Sequence, residues 1–309
     1  MHRLNATEIA VLREVHSGRD RLGGIARAIG RSPAQTSHAV SGLVAKGFLE
    51  KERRGLARRL AFSGRPFVSP FREMLQSGYP LEQWLAGSRM PILSLLAGKG
   101  EHLRAADIQR KTGFSAATVR NFLPAAIRRA LVKKTPEGYR LSRSAVALSG
   151  FLDRYTEHVS GMDLRSISAS AVMRWRLGFE FIFTMPAGEV PGTGFPTGVT
   201  AFTNVGVVIR SDLDFYHYTP FRYKDGIEDH ILDCILPSSG SVRALTYSLI
   251  VLKKYRHRVS VERFGSLARV YGMTALANNL LRFVDADTGT FPGFPRREEF
   301  MEKYRMYGD

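Results

Sequence analysis

The chain has 309 residues, of which 45 are Lys or Arg and 28 are Asp or Glu, so its formal net charge is +17. An apolar fraction of 44% can build a folded core and excludes a wholly disordered chain, and the single cysteine, Cys234, excludes an internal disulfide framework and a multi-cysteine zinc site. Residues 1–150 hold 26 basic and 10 acidic residues, a net charge of +16, whereas residues 151–309 are nearly neutral at +1. Because Lys and Arg neutralise phosphates and release counterions, this asymmetry indicates an N-terminal half that binds nucleic acid.

The sequence gives no sign of a membrane or secreted protein. The first five residues contain no apolar stretch of the kind found in signal peptides, and the longest uncharged stretch, residues 190–209, is interrupted by Pro, Gly and Thr. We therefore expect a cytoplasmic protein without membrane association. No cofactor and no metal are indicated.

Two segments of the basic half, residues 4–62 and 87–141, match each other at a constant offset of 83 residues, which indicates an internal repeat. Each copy predicts two helices, a glycine that ends the second helix, a serine that caps a third helix, and two short strands around a turn. The predicted helices cover 7–17, 23–29 and 33–46 in the first copy and 90–97, 104–112 and 116–130 in the second, and the predicted strands cover 48–53 and 57–62, then 131–135 and 139–141.

The segment from Ser32 to Ser41, followed by Leu43 and the run Lys46 to Leu49, resembles the helix-turn-helix of MarR-like transcriptional regulators. The order of elements in both copies resembles winged helix-turn-helix domains. The second copy departs from the pattern where Ala130 replaces Gly47 and where Pro124 lies inside the third helix. The resemblance implies tandem winged helix-turn-helix domains that bind double-stranded DNA. A winged helix that contacts only protein is the alternative.

In such a module the third helix enters the major groove and the wing contacts phosphates. The residues expected at base edges are Gln35, Ser37, His38 and Ser41 in the first copy and Thr118, Arg120 and Asn121 in the second. The residues expected at phosphates are Lys51, Arg53, Arg54, Arg58 and Arg59 in the first wing and Lys133, Lys134 and Arg140 in the second.

We predict an α+β protein in which two tandem winged helix-turn-helix domains precede a mixed α+β domain. The expected domains are a first winged helix (1–65), a linker (66–86), a second winged helix with a connecting helix (87–160), and an α+β effector or partner domain (161–309). The apolar stripe of the connecting helix suits either dimerisation or packing against the next domain. In the last domain, strands are predicted over 179–184, 205–210 and 214–219, and helices over 227–236, 242–255, 260–271 and 275–284.

The neutral half contains few candidates for chemistry. It has no phosphate-binding loop of the Walker type, and Asp212 with Asp214 only weakly suggests the paired carboxylates of nucleotidyltransferases. His230, Asp233 and Cys234 have the helical spacing of a ligand pair, but without a third ligand we interpret this helix as a solvated acidic face with Cys234 pointing inward. We assign no catalytic residue.

Three segments of this half, residues 195–202, 227–235 and 260–272, weakly resemble the C-terminal domain of AbiE-type antitoxins. The resemblance implies a repressor that accompanies a nucleotidyltransferase toxin. We therefore expect a sequence-specific, double-stranded DNA-binding transcriptional regulator, a repressor or antitoxin-like protein, that is not an enzyme, forms a homodimer and has a toxin-like protein partner for residues 161–309. Two alternatives stay open: a nucleic-acid-processing enzyme of the nucleotidyltransferase type, and a non-specific chromatin or interaction protein.

Overall fold

The computed structural model describes residues 3–54, 57–98, 101–238, 241–286 and 291–307, and of residues 54, 57 and 58 it describes only the backbone. The described chain is α+β, as predicted, and it contains many helices and three small antiparallel sheets. It divides into two compact units. Unit 1 comprises Met1–Ala97 and Phe114–Val159, and unit 2 comprises Gly98–Gly113 and Ser160–Asp309.

The first copy of the repeat lies wholly in unit 1. Its elements are α1 (Ala6–His16), α2 (Leu22–Ala28), α3 (Pro33–Ala45), β1 (Leu49–Arg54) and β2 (Ala57–Phe62). The two strands form an antiparallel hairpin in which Leu49 pairs with Phe62. All five elements start and end within one residue of the bounds predicted from the sequence.

Two helices follow in the segment that we predicted as a linker. They are α4 (Val68–Gln76) and α5 (Leu81–Leu85), and they bury Phe71, Met74 and Trp84. Arg13 of α1 makes a two-pronged ion pair with Glu82 of α5, the shorter contact being 2.8 Å. Residues 66–86 are therefore part of the core of unit 1.

The second copy repeats the same order of elements. They are α6 (Arg89–Ala97), α7 (Ala105–Thr112), α8 (Ala116–Arg128), β3 (Val132–Thr135) and β4 (Gly138–Leu141). The capping serines, Ser32 and Ser115, share one backbone conformation, with φ/ψ of −63°/152° and −62°/153°. Gly30 and Gly113 are both left-handed, at φ of 64° and 65°. In contrast to α2, however, α7 belongs to unit 2.

The long helix α9 (Val146–Ile167) follows the second hairpin, and its N-terminal part belongs to unit 1. Phe151 and Tyr155 are fully buried there. The ring centroid of Phe151 lies 5.2 Å from that of Phe71, and that of Tyr155 lies 5.2 Å from that of Phe48. Apart from the exposed Val146, the apolar stripe predicted on this helix is thus packed inside unit 1.

A buried ion pair positions the third helix of the first copy. Glu8 of α1 accepts from Lys46 Nζ at 2.5 Å, and it also accepts from the backbone N–H of Asn5 at 2.9 Å. Glu8 is 3% exposed. Since Lys46 caps the C-terminus of α3, this contact fixes one end of that helix against α1.

Unit 2 contains a four-stranded antiparallel sheet and a cluster of helices. The strands are β5 (Val172–Leu177), β6 (Glu180–Pro186), β7 (Phe195–Pro196) and β8 (Leu213–Tyr218), in the order β5-β6-β8-β7. The helices of this region are α10 (Gly198–Phe202), α11 (Ile227–Ile235), α12 (Val242–Lys254), α13 (Val261–Tyr271), α14 (Thr274–Asp285) and α15 (Arg297–Tyr307). Helices α11 to α15 enclose a core that includes Leu249, Phe264 and Phe300.

The strand predicted over residues 205–210 is not formed, so that prediction was wrong. Gly206 is left-handed at φ 71°, which breaks an extended backbone. The N–H of Val207 instead donates to Phe202 O at 3.0 Å and closes the end of the preceding helical turn. Apolar β-branched residues suggested a strand here, but Val208 remains 60% exposed.

Candidate functional site

The exposed face of α3 carries the side chains expected to meet base edges in the first copy. Ser32 caps the helix by accepting from the N–H of Gln35 at 3.2 Å. The buried face consists of Thr36, Ala39, Val40 and Leu43. The four predicted residues, Gln35, Ser37, His38 and Ser41, are all exposed on the opposite side.

Gln35 has a second role in the same helix. Its Oε1 atom accepts from the N–H of Ser32 at 3.3 Å and completes a reciprocal capping box. A bidentate contact with adenine uses both the carbonyl and the amide of Gln, so Oε1 would then serve the base as well as the helix cap.

A groove about 620 Å³ in volume runs along the start of this helix within unit 1. Thr7, Gln35 and His38 line it together with Arg31, which is exposed. The sequence analysis did not name Arg31 as a candidate, although it directly precedes the capping Ser32.

The hairpin β1–β2 carries the predicted phosphate contacts of the first copy. Lys51 and Arg53 are exposed. Arg59 is half-buried, and its guanidinium donates to Asp20 at 2.8 Å, so its charge is already paired. The predicted side chains of Arg54 and Arg58 lie outside the described residues.

The second copy presents a smaller set of exposed groups. On α8, Arg120 and Asn121 are exposed, whereas Thr118 is half-buried with its hydroxyl 2.9 Å from that of Ser115. On the hairpin β3–β4, Lys133 and Lys134 are exposed and Arg140 is half-buried. Thr118 and Asn121 also line a cavity of about 420 Å³ with Gln83 and Arg89.

Unit 2 contains a cluster of buried ionisable groups that the sequence analysis did not foresee. His217 on β8 is fully buried, and its Nδ1 lies 2.7 Å from Asp233 Oδ2. Asp233 also accepts from Thr197 Oγ1 at 2.6 Å. On the other side of the cluster, Lys111 Nζ lies 3.0 Å from Glu180 Oε2, which is 3.5 Å from His217 Nε2.

The environment of His217 holds a positive charge inside the protein. Burial alone would lower the pKa of its imidazole, but the adjacent carboxylates of Asp233 and Glu180 outweigh that effect and raise the pKa to about 9. Lys111 is also enclosed by aromatic side chains, since its Nζ lies 2.5 Å from Tyr271 Oη and 4.7 Å from the ring centroid of Tyr223. Two buried cations thus face two buried carboxylates.

The interpretation of α11 as a solvated acidic face was therefore wrong. Glu228, Asp229 and Asp233 are at most 5% exposed. Asp229 accepts from Arg263 at 2.6 Å and from the hydroxyl of Tyr223, and Glu228 accepts from the N–H of Ser260 at 2.7 Å. The partners lie 32 or 34 residues further along the chain in two of these contacts, so the helix pattern alone could not reveal them.

Cys234 is buried, as predicted, and burial raises the pKa of its thiol to about 12. His230 is half-buried, with Nδ1 3.3 Å from Thr197 Oγ1. Within the described ranges, no group of three or more His, Cys, Asp or Glu side chains has the arrangement of a metal site.

The two carboxylates Asp212 and Asp214 lie in different environments. Asp214 accepts from the N–H of Gly188 at 2.9 Å and from Thr200 Oγ1 at 3.2 Å. Asp212 is exposed. Asp214 therefore serves as a local anchor between β8, the turn after β6 and α10.

Comparison of the chain with protein-family profiles, curated proteins and solved structures found no match. In the part of the chain that the structure describes, no helix is both long enough and apolar enough to span a bilayer.

Proposed function

We propose that this chain is a sequence-specific, double-stranded DNA-binding transcriptional regulator built on tandem winged helix-turn-helix modules. The observation that carries the proposal is the polar, exposed face of α3 next to a hairpin with exposed Lys51 and Arg53. Unit 1 as the structure defines it contains 23 Lys or Arg and 10 Asp or Glu, a net charge of +13. Because basic residues outnumber acidic ones in unit 1, some of its Lys and Arg side chains have no carboxylate to pair with and are available to bind phosphates.

The wing contacts are tested by measuring affinity for duplex DNA against salt concentration. We expect log Kd to change with log salt with a slope of magnitude about 4–8, corresponding to five to nine phosphates. The double variant Lys51→Gln/Arg53→Gln should weaken binding to all duplexes alike and reduce the slope by about 2. Arg258→Gln/Arg282→Gln removes two exposed arginines from unit 2 and serves as the matched control.

A salt-insensitive affinity, or equal losses in the wing variant and the control, would overturn the phosphate contacts. Specificity is a separate outcome. Selection of bound sites from genomic DNA should yield a motif that binds at least about 10³-fold more tightly than random duplex. Uniform affinity for all duplexes would instead support a non-specific chromatin protein.

The alternative, an enzyme of the nucleotidyltransferase type, rests on Asp212 and Asp214 alone. The regulator has the broader support, because the exposed polar and basic side chains of unit 1 favour it. Repression rather than activation, a homodimer and a toxin-like partner for residues 161–309 remain predictions from the sequence.

A further inference from the structure

A cavity of about 620 Å³ lies in unit 2, apart from every residue assigned to DNA above. It is bounded by α10, by residues 209–213 before and at the start of β8, and by the facing ends of α11 and α12. Cavities that bind small molecules have volumes of roughly 300–1,000 Å³. The size therefore suits a metabolite rather than a macromolecule.

Apolar side chains form part of the wall of this cavity, alongside several serines. Val199, Phe215 and Ala244 line it, and Phe215 is half-buried, with part of its surface accessible. An apolar or aromatic ligand body would displace water from these walls, which is favourable in proportion to the apolar area covered.

Two arginines lie at the rim. Arg210 and Arg243 both line the cavity and are exposed, and neither forms an ion pair within the described residues. Other arginines of unit 2, such as Arg256 and Arg269, are paired with carboxylates. The guanidinium of Arg243 lies 5.9 Å from the ring centroid of Tyr247. One carboxylate, that of Asp212, also lines the cavity.

We propose that this cavity binds a small molecule with an apolar or aromatic body and a single anionic head, either carboxylate or phosphate. Arg210 and Arg243 bind the head, since a guanidinium matches the geometry of both groups. Asp212 opposes binding by repelling the same head. A neutral ligand would leave both arginines without a partner, and a cation would meet two positive charges against one negative.

The test uses four probes on the full chain without DNA: benzoate, phenyl phosphate, benzyl alcohol and inorganic phosphate. Affinity is measured by calorimetry and by ligand-observed NMR. Benzoate, phenyl phosphate or both should bind in the millimolar range, as expected of such small probes. The tighter of these two probes identifies the head group. Benzyl alcohol has the aromatic body without the anionic head, and inorganic phosphate has the head without the body, so each should bind at least tenfold more weakly.

Three variants assign the site. Arg210→Gln and Arg243→Gln should each weaken binding of the tighter probe about tenfold, as expected for the loss of a charge-assisted hydrogen bond. Asp212→Asn should strengthen it a few-fold. Arg258→Gln is the matched control, because Arg258 is also exposed and its guanidinium lies 5.6 Å from a tyrosine ring centroid, that of Tyr255.

Circular dichroism of each variant separates loss of binding from loss of fold. The proposal is overturned if neither anionic probe binds, if benzyl alcohol binds as tightly as they do, or if the two rim variants bind like the Arg258→Gln control. None of these outcomes bears on the DNA proposal, because no DNA is present in the experiment.

Discussion

The second helices of the two repeat copies, α2 and α7, have the same place in the sequence pattern but different surroundings. At the repeat offset, Gly24 and Ala28 of α2 correspond to Asp107 and Lys111 of α7. Ala28 is exposed, whereas Asp107 and Lys111 are 1% and 2% exposed in unit 2. The repeat therefore preserves the order of elements, while two charged side chains give α7 a set of buried partners that α2 lacks.

Asp107 shows how such a partner set is built. It accepts from Ser266 Oγ at 2.5 Å and from the guanidinium of Arg269 at 3.0 and 3.1 Å. Burial opposes ionisation of this carboxyl, but the bonds from Arg269 and Ser266 outweigh it and lower its pKa. Asp107 and Lys111 are thus both paired with side chains of unit 2, which explains why this helix groups with residues 160–309.

The largest expected effect is the loss of the lysine in α7. Lys111→Met leaves Glu180 buried without its ion-pair partner and should lower the free energy of unfolding by about 3–5 kcal/mol, measured by urea denaturation. Ala28→Met, at the equivalent exposed position of α2, should change it by less than about 0.5 kcal/mol. Equal effects at the two positions would show that the copies do not differ in this way.

Much of the repeat could be predicted from the sequence because its signals are local. The capping Ser32, the glycine that ends α2 and the apolar spacing of α3 all act within a few residues. The burial of Lys111 could not be predicted, because its partner Glu180 and the aromatic ring of Tyr271 are 69 and 160 residues away. The exposed faces of α3 and α8 could also be predicted from the local sequence. The pairing of Arg59 with Asp20 could not, because the two residues are 39 positions apart.

The second effect concerns the proton on His217, in the buried cluster to which Lys111 of α7 belongs. The pKa of His217 is raised from 6.5 to about 9, so the folded state favours the protonated form. The resulting stabilisation is fully present below pH 6.5 and is lost as the pH rises through 9, a change of roughly 3 kcal/mol. Urea denaturation across this interval should show the decline.

His217→Gln removes the titrating group and should flatten this pH dependence, although the variant is less stable overall. His257→Gln, which changes an exposed histidine of the same unit, should retain the dependence found in the unsubstituted protein. If the free energies of unfolding of His217→Gln and His257→Gln fell in parallel as the pH rose, a group other than His217 would be responsible for the pH dependence.

A third effect tests whether the second copy reads DNA as the first is proposed to do. Ser37 of α3 and Arg120 of α8 are equivalent exposed positions. Arg120→Ala should reduce discrimination at one base position by about 1–3 kcal/mol, because Arg can contact guanine with two hydrogen bonds. Ser37→Ala should cost less. Unchanged affinity and preference in Arg120→Ala would restrict base reading to the first copy.

The smallest effect compares the turns that follow the third helices. Gly47 has φ 76°, and Ala130, its equivalent, has φ 55°, the one positive φ of a non-glycine residue in the described chain. A left-handed conformation costs an L-residue roughly 1–2 kcal/mol, whereas replacing Ala by Gly adds about 0.4–1 kcal/mol of unfolded-state entropy. Ala130→Gly should therefore raise the free energy of unfolding by up to about 1 kcal/mol.

The reverse exchange in the first copy should be unfavourable, because strain and crowding outweigh the entropy gain of about 0.4–1 kcal/mol. In Gly47→Ala the new Cβ would lie 2.9 Å from His158 Nε2, and the ring of His158 packs at a tilt against that of Phe67 with a centroid distance of 4.9 Å. Strain and crowding then add, and we expect a loss of at least about 1 kcal/mol. Stabilisation by Gly47→Ala, or destabilisation by Ala130→Gly, would mean that the left-handed turn is not the constraint that the two copies share.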